Sequence, residues 1–206
     1  QAVLMAALME TDNDGRPLID AWIKRSGLTA DAWLEKLFEA TVIPFYHLLC
    51  RYGVALIAHG QNVTLVMKDY VPQRILLKDF QGDMRLVDED FPQAQSLPEQ
   101  VKAVTARLSA DYIIHDLQTG NFVTVLRFIS RLTLQCGVSE TRFYQILAQV
   151  LRRYMAAHPD LAARFAKFDL FKPQIIRVIL NPVKLTFSEH DGGNRMLPNY
   201  VCDLDN

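Results

Sequence analysis

Between residues 59 and 85 the chain places an imidazole (His59), two carboxamides (Gln61 and Asn62), an amine (Lys78), a carboxylate (Asp79) and a guanidinium (Arg85). The amide and carboxylate oxygens are hard donors of the kind Mg2+ prefers. The nitrogen cations suit phosphate or carboxylate groups. The residue after His59-Gly60 is Gln61, an amide, which does not take a proton from a hydroxyl nucleophile. The arrangement therefore favours a nucleophile that is already ionised, such as a carboxylate.

These groups need an element that returns the chain on itself. Val63 to Met67 is apolar and rich in β-branched residues, Lys68 to Gln73 is polar and contains Pro72, and Arg74 to Leu77 is apolar again. That is strand, turn, strand. A turn centred between Tyr70 and Val71 sets Asn62 opposite Asp79, with His59 and Gln61 at the same end of the ribbon. Val54 to Ala58 leads in as a strand or extended segment, so residues 54–87 form the hairpin that carries the site.

Around it the pattern is mainly helical, and the fold class is α+β: helices with a short β-hairpin or small antiparallel sheet. Residues 1–53 are a helical lead-in. Residues 1–9 read as the tail of a helix, and Thr11 to Arg16 as a turn. Pro17 to Arg25 is a short amphipathic helix closed by Gly27. Thr29 caps the next helix, whose Trp33, Leu34, Leu37, Phe38 and Val42 follow helical spacing until Pro44 kinks or interrupts it before Gly53. A polar connection spans Asp88 to Pro98. Residues 98–180 are a helical bundle, with helices over Glu99–Leu117, Phe122–Leu134, Glu140–Ala157 (capped by Ser139) and Asp160–Phe168. Ile175 to Leu180 is too short to divide between helix and strand, and residues 181–206 read as a loop or tail.

Composition narrows the function classes. The 206 residues are 50% hydrophobic with a net charge of −1, so a strongly basic nucleic-acid surface is not expected. No apolar run reaches the roughly 18–20 residues of a membrane span. The first ten residues lack a basic flank and an initiator Met, and read as the interior of a longer chain rather than a signal peptide. Cys50, Cys136 and Cys202 are far apart with no CxxC pair, which points to free thiols in a reducing cytoplasm.

The polar loop, strand pair and following Asp resemble the catalytic and metal-binding loops of kinase-like folds, with KDFQG keeping the Asp-Phe-Gly order with one residue inserted. More specifically, HGQN followed by KDF-x-G-x-x-R resembles the C-terminal region of the siderophore synthetases that work independently of nonribosomal peptide synthetases. These are the aerobactin-synthetase-like enzymes, and the alcaligin and desferrioxamine (hydroxamate) members are the nearest in pattern. The resemblance implies a palm-like region distantly related to kinases. It also implies ATP and Mg2+ as cofactors, and activation of a carboxylate of citrate or a succinyl-type acid as an acyl-adenylate. An amine or a hydroxylamine-bearing polyamine then attacks to give an amide and AMP.

Residue by residue, the resemblance places His59 at the acid and the α-phosphate. It places Gln61, Asn62 and Asp79 at the nucleotide, with Asp79 and Gln61 on the metal, and gives Lys78 and Arg85 motif positions in the catalytic group. The family's N-terminal half, which supplies further phosphate and carboxylate ligands, is the implied partner. A homodimer stays open, and neither nucleic acid nor membrane is implied.

Each residue also has a plainer reading. His59 can bond a backbone carbonyl, Asp79 can cap a turn through Gly82, Lys78 can sit on the opposite strand face in solvent, and Arg85 can pair with Asp83 or Asp88. At the level of function, the alternatives are a non-catalytic helical interaction domain and a ferric siderophore reductase. The reductase would need a cysteine cluster near the C-terminus, where Cys202 stands alone.

Overall fold

The structure is a computed structural model that describes residues 1–178 and 200–205. Two compact units are distinguished, residues 1–168 and residues 169–206. In the first, Ala2–Leu4 form strand β1 and Met5–Met9 a 3-10 turn, where apolar spacing predicts the tail of a helix. Pairing with a later strand overrides that spacing: Ala2, Val3 and Leu4 lie opposite Val66, Leu65 and Thr64.

Helix α1 (Leu18–Ser26) ends as expected at Gly27, and α2 (Ala30–Tyr52) starts at Thr29, whose hydroxyl accepts the Ala32 N–H at 3.2 Å. Helix α2 continues through Pro44 to Tyr52, so of the kink or interruption expected there the interruption does not occur. A proline inside a helix costs about 3 kcal/mol or more. Burial of Leu37, Phe38, Val42, Phe45 and Leu49 on the flanking turns offsets it, at about 1.5–3 kcal/mol per large apolar side chain.

Strands β2 (Val54–Leu56), β3 (Val63–Lys68) and β4 (Val71–Leu77) follow, then the single-turn helix α3 (Phe80–Asp83) and β5 (Met84–Val87). The single helix expected over Glu99–Leu117 is instead α5 (Glu99–Val104), β6 (Ala106–Leu108), α6 (Ala110–Ile113) and α7 (His115–Leu117), after the short α4 (Pro92–Gln95). The break has a cause in the sheet. β6 takes the free edge of β5 in parallel, setting Ala106, Arg107 and Leu108 beside Arg85, Leu86 and Val87. The helix expected over Phe122–Leu134 is a π-helical segment (Gln118–Leu126), α8 (Arg127–Leu132) and a 3-10 turn (Thr133–Cys136). Helix α9 (Glu140–Ala157) is capped by the Ser139 hydroxyl as the sequence predicts, and Pro159 opens a 3-10 turn into α10 (Ala162–Lys167).

The core joins α2 to two neighbours. On α9, Phe143, Ile146, Leu147, Val150 and Tyr154 repeat at helical spacing and are buried, and the Phe38 and Phe143 rings meet edge-on at 5.0 Å. Arg142 donates to Asp31 at 2.7 and 2.9 Å, and the Tyr154 hydroxyl and His47 Nδ1 share a hydrogen bond of 2.7 Å. On the hairpin side, the Trp33 indole donates to the Tyr70 carbonyl at 2.8 Å, fixing the turn of the β3–β4 ribbon to the helix. The two three-stranded sheets, β1-β3-β4 and β2-β5-β6, leave a loop between β2 and β3, and that loop carries His59, Gln61 and Asn62.

In the second unit, β7 (Gln174–Val178) pairs antiparallel with β8 (Tyr200–Asp205). This corrects the tail reading for residues 200–205, because Gln174 and Ile175 find partners in Asp205 and Leu204. Residues 181–199, with His190 and Gly192-Gly193, lie outside the described residues. Among the described residues no helix is long and apolar enough to cross a membrane.

Gly53 joins α2 to β2 at φ 65°, and a Cβ there would lie 2.7 Å from Val87 Cγ1 and 2.9 Å from the Phe91 ring. Gly137 also has positive φ (80°), but its Cβ would meet open space. Gly53→Ala is expected to lose about 2–4 kcal/mol in urea unfolding, from overpacking added to backbone strain. Gly137→Ala should lose only about 1–2 kcal/mol. Equal losses would contradict this reading of the α2–β2 junction.

Candidate functional site

The hairpin forms, but its register differs from the one expected. Asp69 and Tyr70 adopt left-handed conformations (φ 51° and 63°), so the two-residue turn sits one position earlier. Val63, Thr64, Leu65 and Val66 face Leu77, Leu76, Ile75 and Arg74, and the register then shifts between Val66 and Met67. Lys78 therefore stands opposite Asn62, with the Lys78 N–H donating to the Asn62 carbonyl at 3.3 Å. Asp79 does not face Asn62. It is exposed, has φ 65°, offers no side-chain cap to α3, and its carbonyl accepts the Asp83 N–H at 3.3 Å.

The carboxylate that meets the loop is Asp83. The Asn62 carboxamide nitrogen donates to Asp83 Oδ2, and His59 Nε2 lies 3.6 Å from the same oxygen. Asn62 is 6% exposed, so its polar group needs this partner. The loop closes on itself through the Asn62 N–H and the His59 carbonyl at 3.0 Å. Ile57 N–H bonds the Asp83 carbonyl at 3.1 Å, continuing the β2–β5 pairing and bringing Asp83 beside the loop. Gly60 is needed for the fit on the other side: the Ala6 N–H donates to its carbonyl at 3.1 Å, and a Cβ on Gly60 would lie 3.2 Å from the Ala6 backbone.

Arg85 pairs with neither Asp83 nor Asp88 but with Asp116 of α7, through Nη1 and Oδ1. Asp116 is 4% exposed, and burial pushes its carboxyl up to about 7; Arg85 opposes the rise and the Asp83 charge adds to it. The Asp116 carbonyl accepts the Ala58 N–H at 3.3 Å, while Asn121 of the π-helical segment donates from Nδ2 to the Ala58 carbonyl at 3.0 Å. Both peptide groups of Ala58, the residue before His59, are thus held from one helical run. Gly120 lets that run approach, since its Cβ would lie 3.2 Å from the Ala58 nitrogen. Among the described residues, Asp116 Oδ2 and Asn121 Oδ1 are buried without a hydrogen-bond partner.

Of the sequence-selected residues, His59 and Asn62 are brought together, and Gln61, Lys78 and Asp79 are exposed on the connected loop and strand end. Arg85 is half-buried on a different partner from those expected. Asp83, Asp116 and Asn121 were not among the expected site residues. Asp83 had a signal, since it lies inside KDFQGDMR two residues before Arg85. Asp116 had a weaker one, as a carboxylate within the apolar run around Tyr112–Leu117.

Residues 31–194 match the family described as "Ferric iron reductase FhuF-like transporter". The chain belongs to this family. Its similarity to curated relatives runs through almost its whole length: it is 68% identical to the aerobactin synthase of Escherichia coli over 203 residues, 98% of this chain and 35% of that one. It is 58% identical to the aerobactin synthase of Vibrio mimicus, over 100% of this chain and 35% of that one. The structure is similar to aerobactin synthetase from a hypervirulent pathotype of Klebsiella pneumoniae, with a TM-score of 0.90 and 64% identity, covering 100% of this chain and 36% of that one. The expected kinship with aerobactin-synthetase-like enzymes is the one these relatives carry, and the chain spans about a third of their length.

Burial lowers the His115 imidazole below its ordinary 6.5. The unfolded chain then binds more protons than the folded one, so this contribution is complete above pH 6.5 and is lost as pH falls from there through the lowered folded value. Asp116 works in the opposite sense: its contribution is complete below about 3.8 and is lost as pH rises through about 7. Urea unfolding of His115→Gln beside the parent isolates the first effect. The variant's stability relative to the parent should improve as pH is lowered from about 7.5 to about 5. A difference that does not change with pH would contradict the burial argument.

Proposed function

We propose that this chain supplies part of the site of an ATP-dependent carboxylate–amine ligase in siderophore biosynthesis, and so serves iron acquisition. One observation carries the reading. The His59–Asn62 loop is held from behind by Asp83, while Gln61, Lys78 and Asp79, chemically able to meet a nucleotide and its cation, remain exposed on the same loop and the adjoining strand end. The similarity to aerobactin synthases supports the reaction class.

In this reading a carboxylate oxygen of citrate or a succinyl-type acid attacks the α-phosphorus of ATP. The bond to the β-phosphate bridging oxygen breaks and pyrophosphate leaves. An amine or hydroxylamine nitrogen then attacks the acyl carbon, the bond to AMP breaks, and the nitrogen sheds its proton as the amide forms. His59 is assigned to the acid and the α-phosphate, and Asp83, 3.6 Å from its Nε2, sets the ring. Lys78 and Arg85 are assigned to reduce the repulsion between two anions. Asn62, expected at the nucleotide, gives its amide nitrogen to Asp83 and is assigned to holding that carboxylate.

Asp79 and Gln61 are assigned to Mg2+, which when bound lowers the negative charge of the phosphates. The donor set fits such an ion, because Mg2+ is commonly held by one or two carboxylates together with phosphates and water. Among the described residues, no group of three or more His, Cys, Asp or Glu forms that could hold a metal by itself. The remaining ligands are assigned to the rest of a longer polypeptide, and the compartment to the ATP-rich cytoplasm.

The family's description names a reductase, which makes that the second reading. It is less well supported by the thiols, which burial pushes up to about 12 at Cys50 and about 11 at Cys136, away from the thiolate that a cluster or a redox step uses.

Two measurements test the ligase. Mg-ATP at millimolar concentration should slow hydrogen exchange in residues 59–85, and Asp79→Asn should abolish the effect. Asparagine keeps the left-handed backbone at that position, so only the charge is removed. Unchanged exchange, or protection that survives in the variant, would overturn the metal assignment. Mixed with acid, amine and Mg-ATP, the chain by itself should form amide far more slowly than an ordinary enzyme turnover of about 10 per second. Turnover at that rate would contradict the need for a second part.

A further inference from the structure

One guanidinium stands between two carboxylates. Asp83 and Arg85 are two residues apart where α3 passes into β5, and the backbone pairing with β2 runs through both: Ile57 faces Asp83 and Ala55 faces Arg85. Asp83 closes α3 and Arg85 lies in β5, and Asp83 is the acid nearest to Arg85 along the chain. Arg85 nevertheless donates to Asp116, across 31 residues, and Asp83 is taken by Asn62 with His59 beside it. The two acids are within electrostatic reach, since the charge of Asp83 is felt at Asp116. Asp116 is also fixed independently of its side chain, because its carbonyl accepts the N–H of Ala58, the residue before His59.

We propose that Asp116 is a positioning residue that keeps Arg85 away from Asp83, leaving the Asp83 carboxylate to hold Asn62 beside His59. A guanidinium brings a full positive charge and a fork of donors to a carboxylate, where a carboxamide brings only a neutral N–H. A freed Arg85 would therefore displace the Asn62 carboxamide from Asp83. The loop would lose its back support although no residue of the loop had changed. Asp116 acts through Arg85 and touches no reacting atom in this scheme. The arrangement bears on the ligase reading only through turnover; its structural core stands whether or not Mg-ATP binds.

The Asn62 side-chain amide reports the competition directly. Its 1H and 15N resonances can be followed in the chain, with Asp83→Ala giving the position of the released amide. In Asp116→Asn the Asn62 signals should move to that released position. In Arg85→Met/Asp116→Asn they should return to the parent position, because no guanidinium is left to compete. A purely structural Asp116 would not show this rescue on removal of a second buried partner. Signals that stay in place in Asp116→Asn, or that fail to return in the double variant, overturn the proposal. Should Asp116→Asn not fold, the double variant decides: parent signals support the keeper role, and displaced signals overturn it.

Discussion

The loop that carries the candidate chemistry depends on one carboxylate. Asp83 accepts from the buried Asn62 amide and stands 3.6 Å from His59, and it reaches both because its own backbone is paired with Ile57. Leaving a buried amide without that acceptor costs about 1–3 kcal/mol. The surrounding elements make the contact possible. β2–β5 pairing brings Asp83 to the loop, the Ala6–Gly60 bond holds the loop on one side, and Asn121 and Asp116 hold Ala58 on the other.

This divides the polar residues into two groups with different physics. Asn62, Asp83, Asp116 and Asn121 are largely or wholly removed from water and are occupied with one another, with Arg85 and with the backbone. Gln61, Lys78 and Asp79 are exposed. Rigid support beneath and unspent groups above is what a site needs if its geometry is to be set before a ligand arrives. The chain is similar to aerobactin synthases and spans about a third of their length.

How far this could be read from residues alone varies by element. The α2 and α9 helices with their Thr29 and Ser139 caps were legible, because capping and apolar period act locally. The hairpin was legible as an element but not in register. Two non-glycine residues, Asp69 and Tyr70, took the left-handed turn positions, and a register shift followed at Val66/Met67. A slip of one residue changes which side chain faces which, so Lys78 stands where Asp79 was expected, and the carboxylate that meets Asn62 is brought by the β2–β5 pairing instead. β1 and β6 were missed for a different reason. Each is three residues long and exists because a neighbouring strand offers a free edge, which no local pattern records. The π-helical segment around Asn121 was equally hidden, since its composition reads as an ordinary helix.

A double-mutant cycle on Asn62 and Asp83 tests the central claim most directly. Urea unfolding of Asn62→Ala, Asp83→Ala and the double variant gives the energy with which the two side chains depend on each other. A hydrogen bond between a buried amide and a carboxylate should appear as a coupling of about 1–3 kcal/mol. A coupling below about 0.3 kcal/mol, within the error of independent sites, would mean that Asp83 does not hold the loop.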